Sequence, residues 1–317
     1  MGPLVSVVII TYNSGDKIER TLESVRNQTY DNIEIIVSDD CSTDNTINIV
    51  NGWLNRNKDR FARVIIEESR QNTGITPNLN RGLKKARGVY IKPLSGDDEL
   101  VPECIERLVS YVIENKLDFC YADVILQRGG KEYSGLVEDI YFSYKMHKFF
   151  QLTQVSQYKS LLLGFPMYTI GLFLATKFIV QLGYFDEKYP MMEDYPFALL
   201  ASSLGYRLNL LDEKLVVYNC DHITNDRQFK STKRFKRHFI DYRRFTRDRI
   251  IPELLCKGML DEALYIILRE TRLLLSIHIK NQIVAHMFGV IEFLSLTKYK
   301  MKLDYIRFRH NYAGPNG

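Results

Sequence analysis

Residues 4–10 run Leu4, Val5, Ser6, Val7, Val8, Ile9, Ile10, a nearly unbroken β-branched stretch of the kind found in strands buried on both faces. Residues 16–27 then place Ile18, Leu22 and Val25 on one helical face. A second strand is predicted at 33–38, followed by a helix opening at Asp44, a good N-cap. The third strand is 64–67, and a helix starting near Pro77 ends at Gly88. The fourth strand is 89–94, with Pro102 in the first turn of a helix running to Glu114. Strands and helices alternating over such short connections imply parallel strands and right-handed crossovers, a doubly wound α/β arrangement.

Beyond residue 117 the pattern changes. Residues 118–127, the pair Gly129-Gly130 and residues 132–136 predict a hairpin. Further short strands are expected at 172–175, 208–211 and 215–218, with helices at 176–182 and 195–204. After about residue 227 strand patterns stop, and 231–296 reads as helices. Two regions are therefore expected: 1–226, with halves at about 1–117 and 118–226, and a helical region at 227–317.

Charge sharpens that division. Residues 1–226 carry 24 basic and 30 acidic side chains, whereas 227–317 carry 19 basic and 8 acidic, a swing from −6 to +11. With 45% hydrophobic and 26% charged residues the chain of 317 is neither disordered nor fibrous. Its five cysteines are scattered without a C-x-x-C pair, which argues against a disulfide framework or a cysteine zinc site and for reduced thiols. No leader peptide is read at the start, and the longest uncharged stretch, 160–176, is interrupted by Gly164, Pro166 and Gly171. A cytoplasmic location follows as the expectation.

Ligands of open parallel sheets bind beyond the carboxyl ends of the strands. There the chain places Thr11-Tyr12-Asn13, Asp39-Asp40 and Ser95-Gly96-Asp97-Asp98. Either acidic pair alone could simply start a turn. Two pairs at matching positions point instead to a cation or a hydrogen-bond-rich ligand. Neither G-x-G-x-x-G nor G-x-x-x-x-G-K-S/T is present, so phosphates would need neutralising by something other than a glycine-rich loop. Asp97 and Asp98 could do so through Mg²⁺ or Mn²⁺, which share carboxylates with substrate phosphates.

The strings VSVVIITYN, QTYDNIEIIVSDDCSTDNT, NTGITPNLNRGLKKARG, SGDD and MEDYPFAL, in this order, resemble the family 2 inverting glycosyltransferases of GT-A fold over about residues 4–220. The resemblance implies a mixed, mainly parallel sheet flanked by helices, with the basic helical region as an extension. It also implies a nucleotide-sugar donor, usually a UDP-sugar, and a divalent metal. Thr11, Tyr12 and Asn13 would line the nucleoside pocket, with Tyr12 near the base. Asp40 would accept from the uracil N3–H, Asp97 would face the ribose or diphosphate, and Asp98 would be the main metal ligand. Ser95 stands where many relatives carry a further aspartate. Glu193-Asp194 resembles the family's acceptor-side pair: Asp194 would take the acceptor hydroxyl's proton and Glu193 would orient the acceptor. An N-cap role for Asp194 is the alternative. Near the family's metal-binding histidine this chain has Tyr218-Asn219-Cys220-Asp221-His222, so His222 is a candidate ligand, with Asp221 a rival and a plain loop histidine an equal reading.

Residues 227–249 hold ten Lys/Arg and two Asp, with Phe235, Phe239 and Tyr242 at i, i+4, i+7. This basic amphipathic helix could dock its aromatic face on the protein, touch an anionic membrane or help form a homo-oligomer. Aromatics confined to one face suit packing better than base stacking, so no nucleic-acid partner is expected. The acceptor implied is a glycan, glycolipid or glycoprotein of bacterial surface type. A metal-dependent nucleotidyltransferase, or a catalytically silent glycan-binding or scaffold relative, is the competing reading.

Overall fold

A computed structural model describes residues 2–128, 130–132, 137–164, 169–220 and 233–278. It divides into two compact units, residues 1–134 with 167–238 and residues 135–166 with 239–317. Residues 135–166, which the sequence reading keeps within the first 226, thus group with the C-terminal helices.

The first unit is built on one sheet. Strands β1 (Val5–Thr11), β2 (Ile33–Asp39), β3 (Arg63–Glu68) and β4 (Tyr90–Ser95) run parallel in the order β3-β2-β1-β4. Helices α1 (Ile18–Arg26), α2 (Thr46–Asn57) and α3 (Ile75–Leu83) connect them. Every residue of β2 is buried, as a strand covered on both faces requires. Helix α1 buries Ile18, Thr21, Leu22 and Val25, the i, i+3, i+4, i+7 stripe of an amphipathic helix. Each such aliphatic side chain contributes roughly 1.5–3 kcal/mol by leaving water. Helix α2 starts later than predicted, with Asn45 rather than Asp44 at its N-cap position, and Asp44 Oδ1 accepts from Thr46 N at 3.0 Å in the turn that leads into it.

The rest of the sheet is mixed. After β5 (Glu99–Leu100) and α4 (Cys104–Glu114), strand β6 (Phe119–Arg128) pairs antiparallel with β7 (Lys131–Glu132) as the predicted hairpin does, and residues 133–136 of its second arm lie outside the described residues. Pro102 lies just before α4 rather than in its first turn. Next come α5 (Val137–Gln151) and α6 (Gln154–Leu161), which the pattern did not predict. Then follow β8 (Leu172–Ala175), α7 (Thr176–Gln181), α8 (Asp194–Ser203) and β9 (Leu210–Asn219). The order continues β4-β8-β6-β9-β5. Strand β9 is one element where two were expected, and the polar Asp212-Glu213-Lys214 is accommodated by register shifts against β6 around Asp123.

Between β4 and β8 only Tyr90↔Ala175 and Ile91↔Leu174 pair. Pro93, two residues on, has no N–H to extend a ladder. The fully buried Lys92 bridges there instead: its Nζ donates to Pro93 O at 2.9 Å and to Ile170 O. Burial pulls its ammonium pKa down to about 8, opposed by the thiols of Cys104 and Cys120 and by the charge of Asp98.

The second unit is helical: α5 and α6, the part of α9 (Lys233–Phe245) from Phe239 onward, a π-helical turn at Thr246–Ile250, α10 (Ile251–Cys256) and α11 (Leu260–His278), while the start of α9 up to His238 belongs to the first unit. Phe239 and Phe245 are buried while Lys236, Ile240, Arg244 and Arg247 are exposed, so the aromatic side of this basic segment is packed and a cationic stripe faces solvent. Leu260, Leu264 and Ile267 form an exposed apolar row along α11. Among the described residues no helix is long and apolar enough to cross a membrane.

Candidate active site

The parallel register pairs Thr11 with Asp39 and Ile10 with Ser95, so β1, β2 and β4 end level. Backbone bonds carry that alignment into the loops: Asp40 N donates to Thr11 O at 2.9 Å, and Gly96 N to Ile10 O at 2.8 Å. At this edge the Thr11 hydroxyl is buried with no hydrogen-bond partner, which marks a polar atom awaiting one. Gly96 lies against it, and a Cβ there would come within 3.0 Å of Thr11 Oγ1. Tyr12 is 47% exposed beside them. Asn13 takes a left-handed φ of 51° and stitches the first loop to the second. Its N–H donates to Ser42 Oγ at 2.8 Å, and its Oδ1 accepts from Thr43 N at 2.8 Å.

The paired aspartates divide their work. Asp39 Oδ2 accepts from Ser42 N at 2.7 Å and Oδ1 from Ser42 Oγ at 2.5 Å, shaping its own turn. The buried Asp40 reaches across to the residues that lead into α3 and to Arg81 in its last turn. It accepts from Thr73 N at 2.9 Å, Thr73 Oγ1 at 2.6 Å, Gly74 N at 2.7 Å and Arg81 Nη2 at 3.0 Å. Four donors match the lone-pair capacity of a carboxylate. In the loop after β4, Asp97 is half-buried and Asp98 buried. Asp98 Oδ1 accepts from Asn219 N at 3.0 Å, which brings the end of β9 to the acidic loop. His222 and Asp221 follow in sequence and lie outside the described residues.

Asp194 is the first residue of α8 and accepts from Tyr195 N at 2.7 Å, while the N-cap position is Glu193, with no side-chain cap bond. Asp194 and Glu193 are half-buried. The phenol of Tyr121 on β6 has its pKa raised, first by burial and then by the charge of Asp194. The segment leading to Asp194 is bound to α3. Thr76 N donates to Pro190 O at 2.9 Å, Thr76 Oγ1 to Tyr189 O at 2.7 Å, and Asn80 Nδ2 to Phe185 O at 2.8 Å.

Thr11, Asn13, Asp40, Asp97 and Asp98 therefore share one edge of the sheet, and α3 links that edge to the segment carrying Asp194. Sequence reading did not single out Thr73, Gly74, Thr76, Arg81, Asn219 or Lys92. The first four lie within the string NTGITPNLNRG, whose glycine before a helix was the available clue. The oxygen-only donor set at Asp97 and Asp98 fits a hard divalent cation such as Mg²⁺ or Mn²⁺.

The model of the family described as glycosyl transferase family 2 matches residues 6–177, more than half of the chain. The chain belongs to this family. As a family 2 glycosyltransferase it is an enzyme that uses a nucleotide-sugar donor, which sets aside the nucleotidyltransferase and silent-scaffold readings. An uncharacterized glycosyltransferase of Haemophilus influenzae is 29% identical over 253 residues, covering 76% of this chain and 74% of its own length. The UDP-Glc:alpha-D-GlcNAc-diphosphoundecaprenol beta-1,3-glucosyltransferase WfaP of Escherichia coli is 37% identical over 125 residues, 39% of this chain and 47% of that protein. Among solved structures, S. aureus TarS in complex with UDP-GlcNAc aligns with a TM-score of 0.57 at 18% identity, over 88% of this chain and 74% of that one. TarS in complex with UDP aligns at 0.53 and 19% identity, over 75% of this chain and 65% of that one. These likenesses bear out the fold: a GT-A arrangement with a mixed, mainly parallel sheet flanked by helices.

Proposed function

We propose that this glycosyltransferase moves a sugar from a UDP-sugar to a lipid-linked or polymeric bacterial surface glycan, with inversion at the anomeric carbon. The observation that carries the reading is the level sheet edge, where an orphaned buried hydroxyl, Asp40 and the Asp97-Asp98 pair meet in a family 2 chain. The UDP-bound TarS structures support a uridine donor, and the names of WfaP and of the putative teichuronic acid biosynthesis glycosyltransferase TuaG of Bacillus subtilis support the acceptor class.

In this reading Thr11, Tyr12 and Asn13 line the nucleoside pocket, with Tyr12 beside the base. Asp40 holds the pocket wall through Thr73 and Gly74, and a uracil N3–H would share an oxygen with donors already present. Asp97 faces the ribose and diphosphate. Asp98, with His222 as a further ligand, would hold a divalent metal, whose charge would offset that of the departing diphosphate. Asp194 accepts the proton of the acceptor hydroxyl as that oxygen attacks from the face opposite the diphosphate, and Glu193 orients the acceptor. The exposed cationic stripe of α9, continued by Arg247, provides a peripheral contact for the anionic inner leaflet where a lipid-linked acceptor resides.

A panel of nucleotide-sugars assayed for UDP release, with and without Mn²⁺, tests this on wild type, Asp98→Asn and Asp194→Asn. Turnover should be confined to UDP-sugars and should fall by about 10²-fold or more in both variants, the scale of a lost proton acceptor or electrostatic partner. Calorimetry should show weakened Mn²⁺-dependent UDP binding only in Asp98→Asn. Full turnover without divalent metal, or in Asp98→Asn, would overturn the metal role; full turnover in Asp194→Asn would overturn the base.

A further inference from the structure

We infer that Thr76, which has no part in the transfer described above, is the positioning residue for Asp194, and that the first turn of α3 couples the nucleoside side of the site to the acceptor side. This rests on the reading of Asp194 as the proton acceptor. Four consecutive residues face both ways. The N–H groups of Thr73 and Gly74 go to Asp40, behind the nucleoside pocket. The N–H and hydroxyl of Thr76 go to the carbonyls of Pro190 and Tyr189, four and five residues before Asp194. Thr76 is fully buried, so neither bond is shared with water.

The bracket has no slack. Gly74 sits at φ +104°, and a Cβ there would come within 2.7 Å of Pro190 O, so the helix start and the 189–190 segment are in contact. A N–H in the first turn of a helix has no intrahelical acceptor, and here the Pro190 carbonyl supplies it. Met192 N donates back to Tyr189 O at 3.1 Å, tightening the short path from the anchored carbonyls to Glu193 and Asp194. Asn80 adds a second clamp further along α3, with Phe185 N donating to its Oδ1 at 3.1 Å. Proton transfer depends on the acceptor oxygen and its base meeting within hydrogen-bond reach, so a small displacement of this segment weakens the chemical step without emptying the nucleotide pocket.

The test compares Thr76→Val, which keeps the shape and loses the hydroxyl, with Thr76→Ser, which keeps the hydroxyl. The full chain is used, with UDP as the binding probe and UDP release from the donor selected by the panel as the rate. Thr76→Val should lower kcat about tenfold, the scale of one buried hydrogen bond. Its UDP affinity should stay within about twofold of wild type, and Thr76→Ser should recover kcat to within about threefold. Because Thr76 acts through Asp194, adding Thr76→Val to Asp194→Asn should cost nothing further. Where Thr76→Val folds poorly, Thr76→Ala provides the same loss of hydroxyl. Wild-type kcat in the hydroxyl-free variant, or an equal further loss on top of Asp194→Asn, overturns this inference alone. Undiminished turnover in Asp194→Asn overturns the underlying assignment and takes the inference with it.

Discussion

Each of the two compact units buries a glutamate, and they do so in opposite ways. In the sheet unit, Glu34 on β2 is wholly buried and accepts from Ser6 Oγ at 2.5 Å, Arg87 N at 2.6 Å, Gly88 N at 3.1 Å and Arg63 Nη1 at 3.1 Å. Water lost on folding is replaced by directed donors, two of them backbone groups that cannot move away. In the helical unit, Glu270 on α11 is also buried, but the cations of Arg269 and Arg243 stand 3.6 and 3.9 Å away, beyond hydrogen-bond length. Burial outweighs both arginines and raises its carboxyl pKa. The sheet unit is thus built as a platform whose buried charge is met by matched donors. The helical unit leaves charge poorly compensated inside and Leu260, Leu264 and Ile267 outside. The family 2 match spans residues 6–177 and so stops short of α9, α10 and α11.

The largest expected effect strikes the platform. Glu34→Gln presents an amide to donors arranged for a carboxylate and should lower stability by about 3–5 kcal/mol, read from urea unfolding. A loss below about 1 kcal/mol would erase the contrast between the units. Glu270→Gln should change stability at neutral pH by no more than about 1 kcal/mol in either direction. Its sharper signature is in pH dependence. The folded-state pKa lies above the unfolded value near 4.5, so between the two the folded protein binds more protons. Stability should then fall as pH rises through that window, and the Glu270→Gln profile should lack that fall. A matching slope in the variant would mean that Glu270 is better solvated than its packing indicates. The smallest thermodynamic change is expected in the triple variant Lys236→Gln, Arg244→Gln, Arg247→Gln, within about 0.5 kcal/mol because these side chains face solvent. Sedimentation with anionic vesicles should nonetheless lose the protein, and no binding by the wild type would end the membrane reading. Arg237 is left intact because it donates to Asn72 Oδ1 at 3.0 Å.

What the sequence made legible follows the range of the interactions involved. Strand β1 was readable because burial on both faces leaves a nearly continuous apolar run, and α1 because its stripe repeats within nine residues. The packed aromatic side of α9 was readable for the same local reason. Helices α5 and α6 were not, because their apolar and aromatic residues lie on no single face and give no period to detect. Residues Asp212-Glu213-Lys214 looked like a break, since nothing local announces that β6 absorbs them with a bulge. At the site, Thr11, the Asp39-Asp40 pair, Asp97 and Asp98 were legible from their positions after strands, whereas Asp194 stood out only through the resemblance to family 2 glycosyltransferases. The partners of Asp40, 33 to 41 residues away, were not, because those contacts exist only once α3 has packed on the sheet.

Two residue pairs and one lysine join the parallel half of the sheet to the mixed half. Along the sheet that seam is narrow, and the halves are tied again beyond the strands, where Asn219 N donates to Asp98 Oδ1 and Thr76 to the carbonyls of Pro190 and Tyr189. The level ends of β1, β2 and β4 are accordingly fixed within the parallel ladder itself, where Thr11 pairs with Asp39 and Ile10 with Ser95.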